Sequence, residues 1–145
     1  MTGDDARALL ARTPLVVRKG PFAIASWTVA QASAVSAAAL RSNSDIALWM
    51  RDDREVTALL RETALASAPP PRQTQKGWAL LTLDQSMEWD TTGVLAAVSG
   101  ALSAAGIPIG AVTAFARDHV LVPADRLDAA LAALSGLCGE VRRLD

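Results

Sequence analysis

Few side chains in this sequence could carry out chemistry. There is one histidine, His119, and it follows Asp118. Nucleophilic catalysis needs a nucleophile, a base and a third group that holds the base, and the sequence identifies no such set. It also contains no glycine-rich phosphate loop and neither a Cys-x-x-Cys nor a His-x-x-x-His pair. We therefore expect no catalytic residues, no metal site and no cofactor, and we predict that the chain is not an enzyme.

Asp118 and His119 have two alternative roles outside catalysis. They are either polar groups at the mouth of a binding site or a solvated, structural pair at the end of a hairpin.

The turn from Asp90 to Leu95 is the strongest candidate for binding. A helix that begins at Thr92 or Gly93 presents unpaired backbone N–H groups and the positive end of its dipole, which together suit a carboxylate. Gly93 has no Cβ, so a ligand can approach the backbone closely. The alternative is that Thr-Thr-Gly serves only as a helix cap. The amino group of the same ligand could meet the carbonyls around Ile107 to Ile109, where Pro108 removes a donor.

Residues 78 to 144 show a strand, helix, strand, strand, helix order. Alternation predicts strands at 78–84, 107–115 and 119–122. Val94, Val98 and Leu102 share one face of a helix capped by Thr91 or Thr92 and ended by Gly106. Asp125 is expected to cap a second helix, whose buried stripe is Leu127, Ala130, Leu131, Leu134 and Leu137. This order is most of a ferredoxin-like α/β unit.

The first half of the chain is divided by its turn residues. We predict a helix from Asp4 or Asp5 to Arg12, strands at 15–17 and 22–28 separated by Gly20-Pro21, a helix at 29–41 ended by Asn43, a strand at 46–51 and a turn at 52–54. Glu55 to Leu65 is ambiguous, since its leucines and alanines favour a helix. Three consecutive prolines near residue 70 mark a linker.

The run DTTGVLAAVSGALSAAGIPIGAVTAFARDHVLVPADRLDAAL, residues 90 to 131, resembles the second half of small proteins with two tandem ACT domains. These include small bacterial ACT-domain proteins and, more distantly, the cytosolic arginine sensors of animal cells and the regulatory domains of aspartate kinases. ALLARTPLVVRKGPFAIASW and ALWMRDDREVTALLRETA resemble the N-terminal half of the same proteins more loosely.

The resemblance implies an α/β fold of two ferredoxin-like βαββαβ ACT units that share or pair their sheets. The expected domains are residues 1–68 and 76–145, with a linker at 69–75, and Val56 to Leu60 becomes a strand. In ACT pairs the ligand lies where a helix start of one domain faces a strand edge of its neighbour. The implied ligand-binding residues are Asp90, Thr91, Thr92, Gly93, Val94, Leu95, Ile107, Pro108, Ile109, Thr113, Ala114 and Asp118.

One departure from the family bears on specificity. Relatives often have Ile-Ser-Thr-Tyr-Asp-Thr-Asp-Tyr where this chain has Val112 to His119, so an acidic position becomes Ala116. A guanidinium ligand is therefore not implied, and an amino acid of another kind or a different small carboxylate is equally compatible with these residues.

Composition excludes several function classes. A net charge of −1 gives no electrostatic footprint for nucleic acid. Two uncharged stretches, Gly20 to Leu40 and Thr91 to Ala116, are long enough to span a membrane, but Ser, Thr, Gln, Gly and Pro interrupt them. The single cysteine, Cys138, suits a reducing compartment and is expected to be a core residue. We predict a cytoplasmic protein without nucleic-acid or membrane partners.

Two function classes remain. The first is a stand-alone regulatory module that binds an amino acid or similar small molecule between ACT domains. The alternative is a dimerisation or interaction module without a ligand. A homodimer is expected in both cases, because ferredoxin-like sheets leave open edges and the four tryptophans are hard to bury in two small cores.

Overall fold

A computed structural model describes residues 3–42 and 45–145. The predicted end of the second helix at Asn43 lies outside the described residues. Helices and strands alternate in a mixed α/β fold, as predicted. The helices are α1 (Gly3–Ala11), α2 (Ala32–Arg41), α3 (Val94–Ala104) and α4 (Leu127–Leu134); the strands are β1 (Leu15–Trp27), β2 (Leu48–Arg51), β3 (Val56–Arg61), β4 (Gln73–Leu83), β5 (Gly110–Thr113), β6 (Asp118–Pro123) and β7 (Val141–Arg143).

The chain forms two compact units. One unit, the contiguous unit, is Gly20–Trp78, and the other, the discontinuous unit, joins the residues up to Lys19 with Ala79–Asp145. The two boundaries fall inside β1 and β4. The domains expected from the sequence, 1–68 and 76–145 with a linker at 69–75, instead follow one another along the chain, and that division stays a prediction. Residues 73–75 of this linker belong to β4.

In the discontinuous unit the strands lie in the order β7-β1-β4-β6-β5. Strand β7 is parallel to the first residues of β1, and β5 and β6 form an antiparallel hairpin. Helix α1 contacts α3, and α3 contacts α4. Inward-facing residues of the three helices and of β1, β4 and β6 form a single core, which includes Leu10, Leu15, Val17, Leu81, Leu83, Val98, Leu102, Val120, Val122 and Leu134.

In the contiguous unit β3 lies between β2 and β1, and both pairings are antiparallel. The core is made of Ala25, Trp27, Val35, Ala39, Val56, Ala58 and Leu60. Trp27 is fully buried, and its indole Nε1–H donates to the Pro69 carbonyl at 2.7 Å. The ambiguous segment after Glu55 is strand β3, as the resemblance implied. Its alternating side chains reach the core, so tertiary packing overrides the local helix preference.

Several local predictions were wrong. The two strands expected on either side of Gly20-Pro21 are one strand, β1, because its first residues pair with β7 and those from Phe22 onward pair with β3. The strand expected at 107–115 is limited to β5. Ile107 N–H donates to the Leu102 carbonyl at the end of α3, and Ala114 N–H donates to Arg117 in the next turn.

Two helix starts also differ from expectation. A short 3₁₀ turn, Val29–Gln31, precedes α2. Another, Ala124–Arg126, precedes α4, and Asp125 lies within it without capping either element by a side-chain hydrogen bond. The predicted stripe of α4 is confirmed for four of its five residues, since Leu127, Ala130 and Leu134 are buried and Leu131 packs against the same core. Leu137 is also buried, but it lies beyond the end of α4.

Candidate functional site

Helix α3 begins at a glycine in the left-handed conformation. Gly93 is the N-cap residue, with φ of +84°, and it has no side chain with which to cap the helix. The first backbone bond of the helix runs from Ala97 N–H to the Gly93 carbonyl at 3.0 Å. The N–H groups of Val94, Leu95 and Ala96 precede that bond and point outward from the first turn, where the helix dipole is positive.

The opposite end of α3 is closed by hydrogen bonds. Gly106 has φ of +71°; its N–H donates to the Ser103 carbonyl at 2.9 Å, and Ile107 N–H donates to the Leu102 carbonyl at 3.0 Å. This pair of bonds is a Schellman motif, which confirms that Gly106 ends the helix. Val94, Val98 and Leu102 are buried and fix the helix on the core. The start of α3 is therefore held in place by packing along its length.

The turn between β5 and β6 lies beside the start of α3. Ala114 N–H donates to the Arg117 carbonyl at 2.9 Å and closes the turn, whereas Met87 N–H donates to the Ala116 carbonyl at 3.2 Å. The second bond ties the segment that leads into α3 to the turn. The helix start and the hairpin turn thus form two walls of one cleft.

This cleft has a volume of about 240 Å³. Seven of the twelve predicted binding residues line it: Thr91, Gly93, Val94, Leu95, Thr113, Ala114 and Asp118. They come from the helix start and the hairpin, the two regions proposed from the sequence. Their assignment as ligand-binding residues stays a prediction.

The other five predicted residues lie outside the cleft. Asp90 lines a separate hollow beside α1, and Thr92 is an exposed residue next to Gly93. Ile107 is buried in the core, Ile109 packs against it, and Pro108 is exposed. The predicted acceptors for an amino group at 107–109 are therefore not brought to the cleft.

Two aromatic residues of the cleft were not predicted from the sequence. Trp89 and Phe115 line it with exposed fractions of 69% and 83%. Their ring centroids are 5.8 Å apart, and the rings are tilted by 58°. We name this pair the aromatic lip. Its sequence signal is the position of two large aromatic residues in turn segments, where no core packing requires them.

Three charged residues also line the cleft: Glu88, Arg117 and Asp118. Arg117 Nη1 donates to Asp84 Oδ1 at 3.0 Å, and Asp84 Oδ2 accepts from Arg142 Nη1 at 3.4 Å. Asp84 therefore forms ion pairs with both Arg117 and Arg142 beside the cleft. Asp118 is partly buried, whereas Glu88 is exposed.

His119 belongs to a polar group beside the cleft. Thr82 Oγ1 accepts from Arg18 Nη1 at 3.3 Å and lies 2.8 Å from His119 Nδ1. Burial lowers the pKa of His119, and the charges of Arg117 and Arg18 lower it further, against the opposite effect of Asp118. Thr82 Oγ1 and His119 Nδ1 share a hydrogen bond, whose donor is set by the tautomer of the imidazole. The histidine is thus committed to a structural hydrogen bond.

In the part of the chain that the structure describes, Cys138 is not an activated thiol and the acidic side chains form no metal-binding group. Cys138 packs against the core of the discontinuous unit, and burial raises its thiol pKa to about 11. The thiol is therefore protonated at neutral pH and a poor nucleophile. Among residues 3–42 and 45–145, no group of three His, Cys, Asp or Glu side chains could hold a metal ion.

The family comparison matches residues 73–136 to the model of the ACT domain. This segment contains the whole cleft. The chain carries an ACT domain. The resemblance recognised in the sequence is thereby confirmed. No curated protein matches the chain.

Solved structures show that the ACT fold extends beyond this segment. A protein from Agrobacterium tumefaciens is 23% identical with a TM-score of 0.73, covering 92% of this chain and 95% of its own. A protein of unknown function from Vibrio cholerae, described as a possible transport protein, is 20% identical with a TM-score of 0.65 and coverages of 91% and 95%. The regulatory subunit of aspartate kinase from Thermus thermophilus is 18% identical with a TM-score of 0.64 and coverages of 85% and 95%.

These likenesses establish the fold. The ferredoxin-like class predicted for the chain is confirmed, and structures of ACT regulatory regions match most of it. No helix within residues 3–42 and 45–145 is long and apolar enough to cross a membrane.

Proposed function

We propose that this chain is a regulatory module, not an enzyme, and that its ACT-domain cleft binds a free amino acid or a similar small carboxylate. The observation that carries the proposal is the start of α3, where the N-cap residue is a left-handed glycine that lines the cleft. The first N–H groups of a helix have no partner within the helix itself. A ligand carboxylate in the cleft would accept hydrogen bonds from them.

The walls of the cleft supply complementary groups for both ends of an amino acid. The N–H groups at the start of α3 suit the carboxylate. Asp118, on the opposite wall, suits the ammonium group, and the hydroxyls of Thr91 and Thr113 add donors and acceptors. The volume of about 240 Å³ is below the ~300–1,000 Å³ of sites for drug-sized ligands. A molecule of amino-acid size is therefore the best match.

The regulatory role rests on the family. ACT regulatory domains bind small ligands and associate, and the regulatory subunit of aspartate kinase shares the fold of this chain. We further propose a cytoplasmic homodimer in which ligand binding alters the partner or the assembly.

A dimerisation module without a ligand is the second candidate. Among the described strands, β2 and β5 each have a neighbour on one side only. Trp49 and Met50 on β2 are exposed by 40% and 59%. An open strand edge with large apolar side chains is a template for association. Light scattering at micromolar concentration tests the dimer; a mass near 15 kDa would contradict it.

Thermal unfolding with a panel of amino acids separates the two candidates. A ligand that binds only the folded state adds RT ln(1 + [L]/Kd) to its stability, about 2.7 kcal/mol at a hundredfold excess over Kd. We expect at least one amino acid to raise the melting temperature. A dimer that no amino acid stabilises favours the second candidate.

Gly93→Val and Gly106→Val form a matched pair that locates the site. Both residues have positive φ, so each valine introduces backbone strain of roughly 1–2 kcal/mol at opposite ends of the same helix. Only Gly93 lines the cleft. We expect calorimetry to show lost binding in Gly93→Val and retained binding in Gly106→Val. Equal affinity in the two folded variants would place the ligand elsewhere.

Asp118→Ala tests the opposite wall. Loss of a charge-assisted hydrogen bond to the ammonium group costs about 1.5–3 kcal/mol where the pair is desolvated, or roughly 10- to 150-fold in Kd. The partial burial of Asp118 makes the lower end of that range the expected result. The assignment is wrong if calorimetry gives the wild-type Kd for this variant.

A further inference from the structure

The aromatic lip takes no part in the contacts proposed for the carboxylate and ammonium group of the ligand. Every amino acid has the same carboxylate and ammonium group, which would be held by the start of α3 and by Asp118. Trp89 and Phe115 also line the cleft, yet 69% and 83% of their surfaces are exposed. Large apolar rings left in solvent beside a cleft gain free energy when a ligand covers them.

Trp89 and Phe115 are the two most exposed of the six aromatic residues, ahead of Trp49 at 40%. Phe22 and Trp27 are fully buried in the contiguous unit. Trp89 and Phe115 lie at 5.8 Å between ring centroids and contact each other across the cleft mouth. They are carried by two separate segments, the entry to α3 and the β5–β6 turn, which a single backbone bond from Met87 to Ala116 holds together. The pair is thus a positioned apolar surface.

The charges of the cleft leave no net charge at this surface. Glu88, Arg117 and Asp118 are its charged lining residues. Once Asp118 is matched by the ligand ammonium group, Glu88 and Arg117 remain, with opposite charges. Asp84 pairs with Arg117 at 3.0 Å and also with Arg142 at 3.4 Å, so this additional acid and base leave the balance unchanged. A ligand side chain with a full positive or negative charge would therefore gain little from its surroundings.

We propose that the cleft selects amino acids with apolar side chains, aromatic or branched aliphatic, through the aromatic lip. This inference rests on the proposed function, because it specifies the ligand class of the same site. Covering apolar surface contributes about 25 cal/mol per Å², and an aromatic contact adds to that term. Leucine or phenylalanine should accordingly bind at least about tenfold tighter than glycine, the amino acid with the same backbone groups and no side chain.

The test is calorimetry of the full chain with glycine, alanine, leucine, phenylalanine, lysine and glutamate. We expect leucine or phenylalanine to bind most tightly, and Phe115→Ala to reduce the leucine-to-glycine preference to about threefold or less while the affinity for glycine stays unchanged. Phe115→Leu, which keeps an apolar side chain, should restore most of the preference. Leu40→Ala, which removes a 72% exposed apolar side chain of the contiguous unit, is the control and should keep the wild-type series.

The outcomes separate this inference from the function on which it rests. If the six amino acids bind with similar affinity, or if lysine or glutamate binds best, the cleft is an amino-acid site but the lip does not select apolar side chains. If none binds, both proposals are wrong. Because both lip residues are largely exposed, their variants should fold, and circular dichroism confirms this for each sample.

Discussion

The residues that lead into α2 and α3 differ. In the contiguous unit, Thr28 N–H donates to Gln31 Oε1 at 3.2 Å, and the Thr28 hydroxyl donates to the same oxygen at 3.1 Å, within the 3₁₀ turn before α2. In the discontinuous unit, α3 begins directly at Gly93, which has no side chain and lines the cleft. A side chain of the chain itself thus closes the turn before α2, whereas the N-cap residue of α3 offers only backbone groups. This difference indicates why binding is proposed in only one unit.

The two cores differ as well. The discontinuous unit buries many leucines and valines beneath three helices, whereas the core cluster of the contiguous unit combines three alanines, two valines and one leucine with a single aromatic residue, Trp27. A core of small side chains depends strongly on its few large ones, because nothing nearby can fill the space that they leave. Stability is thus concentrated at Trp27 in one unit and distributed in the other.

Truncation of core side chains should give the largest changes in stability and test the difference between the two cores. Trp27→Ala is expected to cost about 3–5 kcal/mol and Leu102→Ala about 2–5 kcal/mol of unfolding free energy. Only Leu102→Ala should also weaken amino-acid binding to the folded protein, because Leu102 anchors α3. Urea unfolding followed by circular dichroism, with calorimetry under native conditions, measures both quantities. An equal loss of affinity in Trp27→Ala would contradict the separation between the units.

Removing the cap of the contiguous unit should have an intermediate effect. Gln31→Ala leaves Thr28 N–H without the side-chain acceptor that it uses now. The expected cost is about 1 kcal/mol, within the ~0.5–2 kcal/mol range of helix caps. Gln75→Ala, at an exposed position of β4, is the control and should change stability by less than about 0.5 kcal/mol. If the two variants are equally stable, the Gln31 cap contributes nothing.

The smallest expected effect is a pH dependence in the discontinuous unit, which holds the only histidine. The folded-state pKa of His119 is lowered, mainly by burial and also by Arg117 and Arg18, despite Asp118. As the pH falls below about 6.5, the unfolded chain takes up a proton before the folded chain does. Stability is therefore lost from that pH downward, until the folded pKa is reached.

His119→Gln isolates this contribution, because glutamine keeps an acceptor for Thr82 and does not titrate in this range. Urea unfolding between pH 5 and 8 should show a steeper decline for the wild type than for the variant. Parallel curves would mean that His119 is not the responsible group.

Local patterns predicted the elements whose residues carry their own signals. Gly106 ends α3 and the α4 stripe is buried, as their sequences indicate. The strand nature of β3 was decided by resemblance, because its leucines and alanines have the opposite local preference. Strand β7 was missed. It has three exposed residues and exists through pairing with Leu15–Val17, which are more than a hundred positions away in the sequence.

Only part of the candidate site was predicted, because local patterns do not show which distant segments meet. The start of α3 and the β5–β6 hairpin are adjacent elements, and the resemblance linked them. The segment at 107–109 was assigned to the site because an alternating pattern does not show which carbonyls face a cleft. The aromatic lip was missed because Trp89 and Phe115 are distant in sequence and have no local pattern in common.

Because the discontinuous unit consists of two separate segments of the chain, its two parts are synthesised at different times. During synthesis the ribosome must add all of Gly20–Trp78 after Lys19 before it reaches Ala79, which takes roughly 3–12 s at 5–20 residues per second. At the end of that interval the contiguous unit has its complete sequence, whereas Leu10, Leu15 and Val17 still lack core partners that are not yet made. The strand partner of Leu15–Val17, Val141–Arg143, is translated more than a hundred residues after them. The nascent chain therefore exposes this apolar segment until its partners are made, and this is where a chaperone should bind it.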